Sequence, residues 1–321
     1  MTDYKTLRGQ KVKSIASDPS PLYEGQVWYN TGDSKLRFRG TGSPVFVEGG
    51  DLTTAGMLYG GGCGVNTASL AMGRYAPESG KTEEYNGTSW SEQTDMGTTR
   101  YQVSGCGTQT AGLGAGGIQP PAGETEEYNG SSWSEDGDLN TASHGFALAG
   151  TQTSAIRGGS NVAPKDHAEE YNGSSWSEVS ELNTGRHYNG GIGANAEAAI
   201  SVGGSEEGVN DFSEEWNGSS WTEGDNLNTA RKLGAGTFGI QTLGYNAGGA
   251  TTTARIANCE EYNGSSWSET TDLNTSRAEL AGGGIASSGN IFGGATADST
   301  FTGATEEFTV GGADTLDVTG T

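Results

Sequence analysis

The octapeptide Glu126-Glu127-Tyr128-Asn129-Gly130-Ser131-Ser132-Trp133 returns, nearly letter for letter, along a chain of 321 residues. Its aromatic position reads Tyr85, Tyr128, Tyr171, Trp216, Tyr262 and Phe308, each preceded by Glu-Glu, at intervals of 43, 43, 45, 46 and 46 residues. Its closing tryptophan recurs as Trp90, Trp133, Trp176, Trp221 and Trp267. A fixed period of this length marks stacked modules, none of which can bury its apolar face alone. Two short runs flank the central Asn-Gly, whose residues take positive φ at little cost, so the spacing predicts a two-residue type I′ hairpin in every unit.

Two further marks frame the hairpin. Upstream lie Gly116-Gly117, Gly158-Gly159, Gly203-Gly204, Gly248-Gly249 and Gly293-Gly294, with Gly73-Arg74 in the equivalent place of the first copy. Downstream lies Leu-Asn-Thr-Ala-Arg or a variant: Leu139 to Ser143, Leu182 to Arg186, Leu227 to Arg231 and Leu273 to Arg277. The order of these marks over residues 51–321 resembles the Kelch motif of β-propellers. That resemblance implies an all-β, six-bladed Kelch-like β-propeller in which the Gly pair closes the second strand of each blade. It also implies that the Tyr and Trp of strands three and four pack between blades, which makes the tyrosines and tryptophans of the repeat structural residues.

The chain carries 40 acidic against 17 basic residues, a net charge of −23, and 56 glycines. Glycine at this level favours β structure rich in turns, and aromatics at fixed repeat positions speak against low-complexity disorder. The charge argues against nucleic acid as a partner, because phosphate binding needs clustered Lys and Arg. Membrane insertion is not expected either, since no run of about 18 apolar residues occurs. Cys63, Cys106 and Cys259 are odd in number and lack metal-type spacing, so no disulfide framework is read.

Residues 1–43 read as an extended arm, with Lys5, Arg8, Lys11 and Lys13, followed by a β-hairpin within 23–40. The hairpin segment resembles a short β segment common near the start of bacteriophage tail and fibre proteins. Residues 44–321 read as the propeller. The sixth repeat lacks a tryptophan, and Pro44 to Glu48 lines up with a last strand when Phe46 takes that place, so this segment is expected to close the ring. Thr315 to Thr319 alternates well enough to compete for the same position, and a seventh, partial blade from 26–48 is the alternative architecture.

Chemistry-bearing patterns are few. Adjacent Glu residues on a strand point to opposite faces and cannot share a proton; one of each pair is expected to face the Arg of the downstream mark, Arg100, Arg186, Arg231 or Arg277. His144 and His187 share a repeat position, but the other copies offer Tyr101, Lys232 and Ala278 there, so no metal site is expected. The Asn-Gly-Ser sequons follow from the turns, and no triad, phosphate loop or cofactor motif is readable. The expectation is therefore a protein that is not an enzyme and binds no cofactor.

Length varies in one place. From the second glycine, or Arg74 in its stead, to the aromatic after Glu-Glu the count grows from 11 to 14 residues. Loops on a rigid scaffold are where binding concentrates, which makes Tyr75, Glu78, Lys81, Gln119, Lys165, His167, Glu206, Glu207, Asn210 and Arg255 the candidate binding residues. The resemblances imply a bacteriophage virion protein of tail or tail fibre, made in the host cytoplasm and homo-oligomeric. On this reading residues 1–40 attach to other virion proteins and the loops bind host-surface glycan or protein. A cellular Kelch interaction module or lectin is the alternative.

Overall fold

The computed structural model describes residues 13–16, 27–31, 35–38, 42–55, 61–75, 77–118, 122–233, 236–311 and 315–316, all of them in strands, turns or extended segments. Six four-stranded antiparallel sheets form a six-bladed β-propeller. Blades 1 to 5 occupy residues 61–92, 104–136, 147–178, 190–223 and 236–269. Blade 6 orders its strands Ala281–Ile285, Ser288–Phe292, Thr305–Gly311 and Gly42–Glu48. The innermost strands touch in a closed cycle, each with the next and Ala281–Ile285 with Gly61–Val65, which removes the free sheet edges that invite aggregation.

A further sheet is formed by Lys13–Ile15, parallel to Val27–Asn30, which pairs antiparallel with Lys35–Phe38 and through it with Thr315–Leu316. Thr315–Leu316 thus pairs with Leu36 and Arg37 and is not the fourth strand of blade 6. Val27–Asn30 and Lys35–Phe38 likewise build no seventh blade. Residues 1–12 of the arm lie outside the described residues.

The glycine content is explained at the axis. A Cβ on Gly191 would stand 2.4 Å from the Leu148 carbonyl oxygen of the neighbouring blade, and one on Gly283 would stand 2.7 Å from the Cα of Cys63. The first strand of blade 5 begins at Gly236, after Gly234 and Ala235, which lie outside the described residues.

One sequence expectation is corrected at the turn. Tyr128 pairs with Trp133 and the Asn129 N–H donates to the Ser132 carbonyl, so Gly130 and Ser131 are the two central residues. Only the glycine has positive φ, +89°, the requirement of type II′ and not of type I′. Asn129 instead uses its side chain, Oδ1 accepting from the N–H groups of Ser131 and Ser132 at 3.0 Å.

Interblade packing follows the repeat. The four tryptophans Trp90, Trp176, Trp221 and Trp267 are buried and Trp133 is half-buried, each tilted against the aromatic that precedes it at about 5 Å. Their Nε1 groups reach back one blade. Trp90 donates to Thr305 Oγ1, Trp133 to Thr82 Oγ1, Trp176 to Thr125 Oγ1 and Trp267 to Ser213 Oγ. Ala168 occupies the hydroxyl place opposite Trp221, whose Nε1 is buried without a partner. In blade 6 Phe46 has no N–H to place, and Cys259 stands where the hydroxyl would be. Phe46 is 5% exposed, packs 5.2 Å from Phe308, and its carbonyl accepts from Asn274, as the carbonyls of Trp176, Trp221 and Trp267 accept from Asn140, Asn183 and Asn228.

The Glu-Glu pairs divide their work. In blades 2, 4, 5 and 6 the first carboxylate is buried against a guanidinium, Arg100–Glu126 at 3.1 Å, Arg186–Glu214 at 2.9 Å, Arg231–Glu260 at 2.6 Å and Arg277–Glu306 at 2.9 Å, whereas the buried Glu83 of blade 1 accepts from the Thr53 N–H at 2.8 Å. In blade 3 Ser143 replaces the expected Arg, and Arg157 from the second strand supplies the cation to Glu169 instead. Burial pushes the Glu169 carboxyl up, but Arg157 and the donors of Asn140 outweigh it, and the net shift is downward. The second carboxylate takes a tyrosine hydroxyl from the next blade: Tyr128 to Glu84, Tyr171 to Glu127, Tyr262 to Glu215 and Tyr85 to Glu307. Where the next aromatic is Phe308, Tyr245 of the same blade takes Glu261.

Candidate functional site

The loops joining strands two and three lie on one face, together with the segments that lead from strand four into the next blade. Isolated bridges tie the two kinds of segment: Tyr101 with Ile118, His187 with Ser205, Lys232 with Ala250 and Ala278 with Ala295. In blade 3 the His144 N–H donates to Asn161 Oδ1 in the same place.

Blade 1 departs from the loop pattern. Its second strand runs on to Tyr75 and its third starts at Glu78, with a bulge between Met72 and Arg74. Elsewhere the second glycine takes φ between +91° and +125° and turns the chain out of the sheet. Arg74 stands in that place, and a side-chain-bearing residue resists the conformation. The missing glycine therefore yields a projecting hairpin, and Tyr75, Glu78 and Lys81 belong to strands where the sequence spacing predicts a loop.

The other predicted residues are partly spent on holding loops together. Arg255 pairs with Asp298 at 3.0 Å and Glu279 at 3.7 Å, tying blade 5 to blade 6. Lys165 Nζ donates to the Glu206 carbonyl at 3.5 Å, tying blade 3 to blade 4. Lys81 reaches Glu92 of its own blade at 2.8 Å and stays apart from the loops. The carbonyl of His167 accepts from Gly159, and the Asn210 carbonyl accepts from Arg231. Glu206, Glu207 and Glu78 are exposed. Gln119 lies outside the described residues.

Sequence reasoning named Tyr75, and placed Tyr101, His144 and His187 at one repeat position, but missed how the same face brings these rings into contact. Tyr75 lies edge-on to Tyr101 at 4.9 Å and to Phe301 at 6.3 Å, so that its ring is braced by blades 2 and 6. Tyr188 lies between His187 at 4.4 Å and His144 at 6.4 Å. Burial, aided by His187, pushes His144 down to about 4, and burial also lowers His187. Burial, then Glu78, raises Tyr101. The signal was present, since Tyr101, His144 and His187 share one repeat position, but the brace on Tyr75 depends on a neighbouring blade.

At the centre of this face a cavity of about 100 Å³ opens on the propeller axis, lined by Gln102, Val103, Phe146, Tyr188, Asn189 and Leu280 among glycines. No charged side chain lines it. Its rim is strained: Gln102 and Tyr188 both hold φ at +57°, with Leu233 at +68° and Glu279 at +62° in the equivalent places. Residues held so cost of order 1–3 kcal/mol each and gather at functional sites. Among the described residues no group of three or more His, Cys, Asp or Glu side chains is placed to hold a metal ion.

No protein-family model matches the chain. No curated protein matches it in sequence. Among solved structures 284 chains match. One of them, described as the structure of YjhT, is similar with a TM-score of 0.66 at 13% identity, over 83% of this chain and 99% of that one. At such identity the likeness establishes the propeller fold alone.

Proposed function

We propose that this chain is a non-enzymatic, Kelch-type bacteriophage virion protein of tail or tail fibre, whose loop-bearing face contacts host-surface glycan or protein. The observation that carries the reading is the contrast between the two faces. One repeats the same Asn-Gly-Ser turn, as at Asn129, Asn172, Asn217 and Asn263, each closed by its own side chain. The other bears a different group in each blade, from the Tyr75 hairpin to the Arg255 loop, on a scaffold locked by buried ion pairs. A rigid disc with one varied face suits recognition, and modest contacts gain from repetition across copies of a homo-oligomer. Residues 1–40, with four cationic groups in the first 13 against a net charge of −23, suit a different partner, the rest of the virion.

Mass spectrometry of intact particles tests the first half of the proposal, with this chain expected among the virion proteins. Adsorption by particles carrying loop-swapped variants tests the second. Absence from the particle defeats the virion reading, and normal adsorption by every loop swap makes the protein a structural part alone.

A further inference from the structure

We propose that the braced ring of Tyr75 is a stacking subsite for one uncharged pyranose residue, which deepens the binding reading above by naming the ligand class. Two observations converge on it. Tyr75 is 41% exposed at the end of a strand, so its exposed area is presented from a paired strand and not from a loop. Tyr101 and Phe301 meet it edge-on from either side, at 4.9 Å and 6.3 Å, which holds its orientation before any ligand arrives. A preorganised aromatic surface loses little entropy on binding.

Size and charge select the ligand. A stable protein partner needs roughly 800 Å² on each side, whereas among the described residues the large exposed apolar side chains of this face are single residues, Tyr75, Val162 and Phe212, on separate blades. The apolar surface at Tyr75 is therefore small, one exposed ring between the partly buried Tyr101 and Phe301. A pyranose offers a C–H face of that size and leaves its hydroxyls in water. Glu78 lies close enough to raise Tyr101, and with a net charge of −23 the field repels sialylated, sulfated or phosphorylated sugars.

The test uses the full-length chain on a printed array of neutral, sialylated and sulfated glycans, followed by titration with the strongest neutral glycan. Binding is expected in the neutral class, with affinity at least about tenfold weaker for Tyr75→Ala (1.4 kcal/mol) and retained by Tyr75→Trp. Phe212→Ala, an equally exposed ring on blade 4, should leave the affinity unchanged, and circular dichroism melting checks that each variant folds. Preference for anionic glycans, absence of neutral binding, capture of a host protein with no glycan dependence, or undiminished binding by a folded Tyr75→Ala variant overturns the proposal. Tyr75-dependent binding by a chain absent from virions would sink the virion reading and leave this one standing.

Discussion

Arg157 is the cation of blade 3 only because Ser143 stands where blades 2, 4, 5 and 6 place an arginine, and this makes a direct test of how the ring is held. Replacing Arg157 by Met keeps the length of the side chain and leaves Glu169, which is 1% exposed, without its counter-charge. Removing one partner of a buried pair costs about 3–5 kcal/mol. Glu169 retains donors from Asn140 N and Nδ2, both at 2.8 Å, and from Thr141 N at 3.2 Å, so the loss should sit near the lower end, about 3 kcal/mol. That corresponds to a melting midpoint lower by roughly 5–10 °C. The sign of the pH effect follows from the downward shift of Glu169. A carboxyl depressed in the folded state adds stability above its unfolded pKa and loses it as pH falls through the folded value. Without Arg157 burial dominates and the carboxyl moves above its unfolded value, so protonation then favours the fold: the deficit of the variant should be largest at neutral pH and shrink as pH falls. Adding Ser143→Arg to the variant puts a guanidinium where blades 2, 4, 5 and 6 carry theirs, and should recover more than half of the loss. Thermal unfolding followed by tryptophan fluorescence across pH 3–8 measures all three quantities. A fall under about 1 kcal/mol, or no recovery in the double variant, would refute the claim that the buried Glu169 needs one cation from either position.

Other outcomes follow from the same network. Ala168→Thr offers the orphaned Trp221 Nε1 the hydroxyl its counterparts enjoy and should stabilise by about 1 kcal/mol; a lower midpoint would mean that the added atoms do not fit. Phe46→Ala should cost about 3–5 kcal/mol in denaturant unfolding, as should Trp176→Ala, and an unchanged midpoint for Phe46→Ala would show that blade 6 does not depend on that strand. His144, held down to about 4 by burial, is neutral in the fold while its unfolded counterpart takes up a proton near 6.5, so stability should decline as pH drops from 6.5 towards 4. His144→Phe should flatten the thermal midpoint over that window, and an identical profile would exclude the residue as a source of acid sensitivity.

The repeat by itself determined the blade. Glu-Glu-aromatic, Asn-Gly, Trp and Gly-Gly each report a local demand for a strand, a turn, an interblade anchor or a positive φ, and local demands are legible one chain segment at a time. Even the blade 6 strand at Phe46 was readable, because a missing tryptophan in one copy matched an unclaimed aromatic elsewhere. Arg157 was not legible. It stands directly before the Gly158-Gly159 mark, where the other copies carry Met72, Ala115, Val202, Ala247 and Phe292, and only the approach of its guanidinium to Glu169 in space reveals that it replaces the missing arginine at Ser143. Gln109, Gln152 and Gln241 show the same limit, since each donates its amide to strand carbonyls of the preceding blade, such as Ser69 and Tyr85 for Gln109. The Gly-Thr-Gln-Thr of two of these turns is a visible repeat, yet its purpose belongs to a neighbour in space. The turn type was misjudged because Asn-Gly satisfies two geometries, and the choice fell to the hydrogen bonds of the Asn129 side chain. The candidate site divides in the same way. Length variation pointed to the face that carries the loops between strands two and three, whereas the brace on Tyr75 and the axial mouth exist only once ring closure brings blades 6, 1 and 2 side by side, because contacts between blades carry no spacing that a single chain can display.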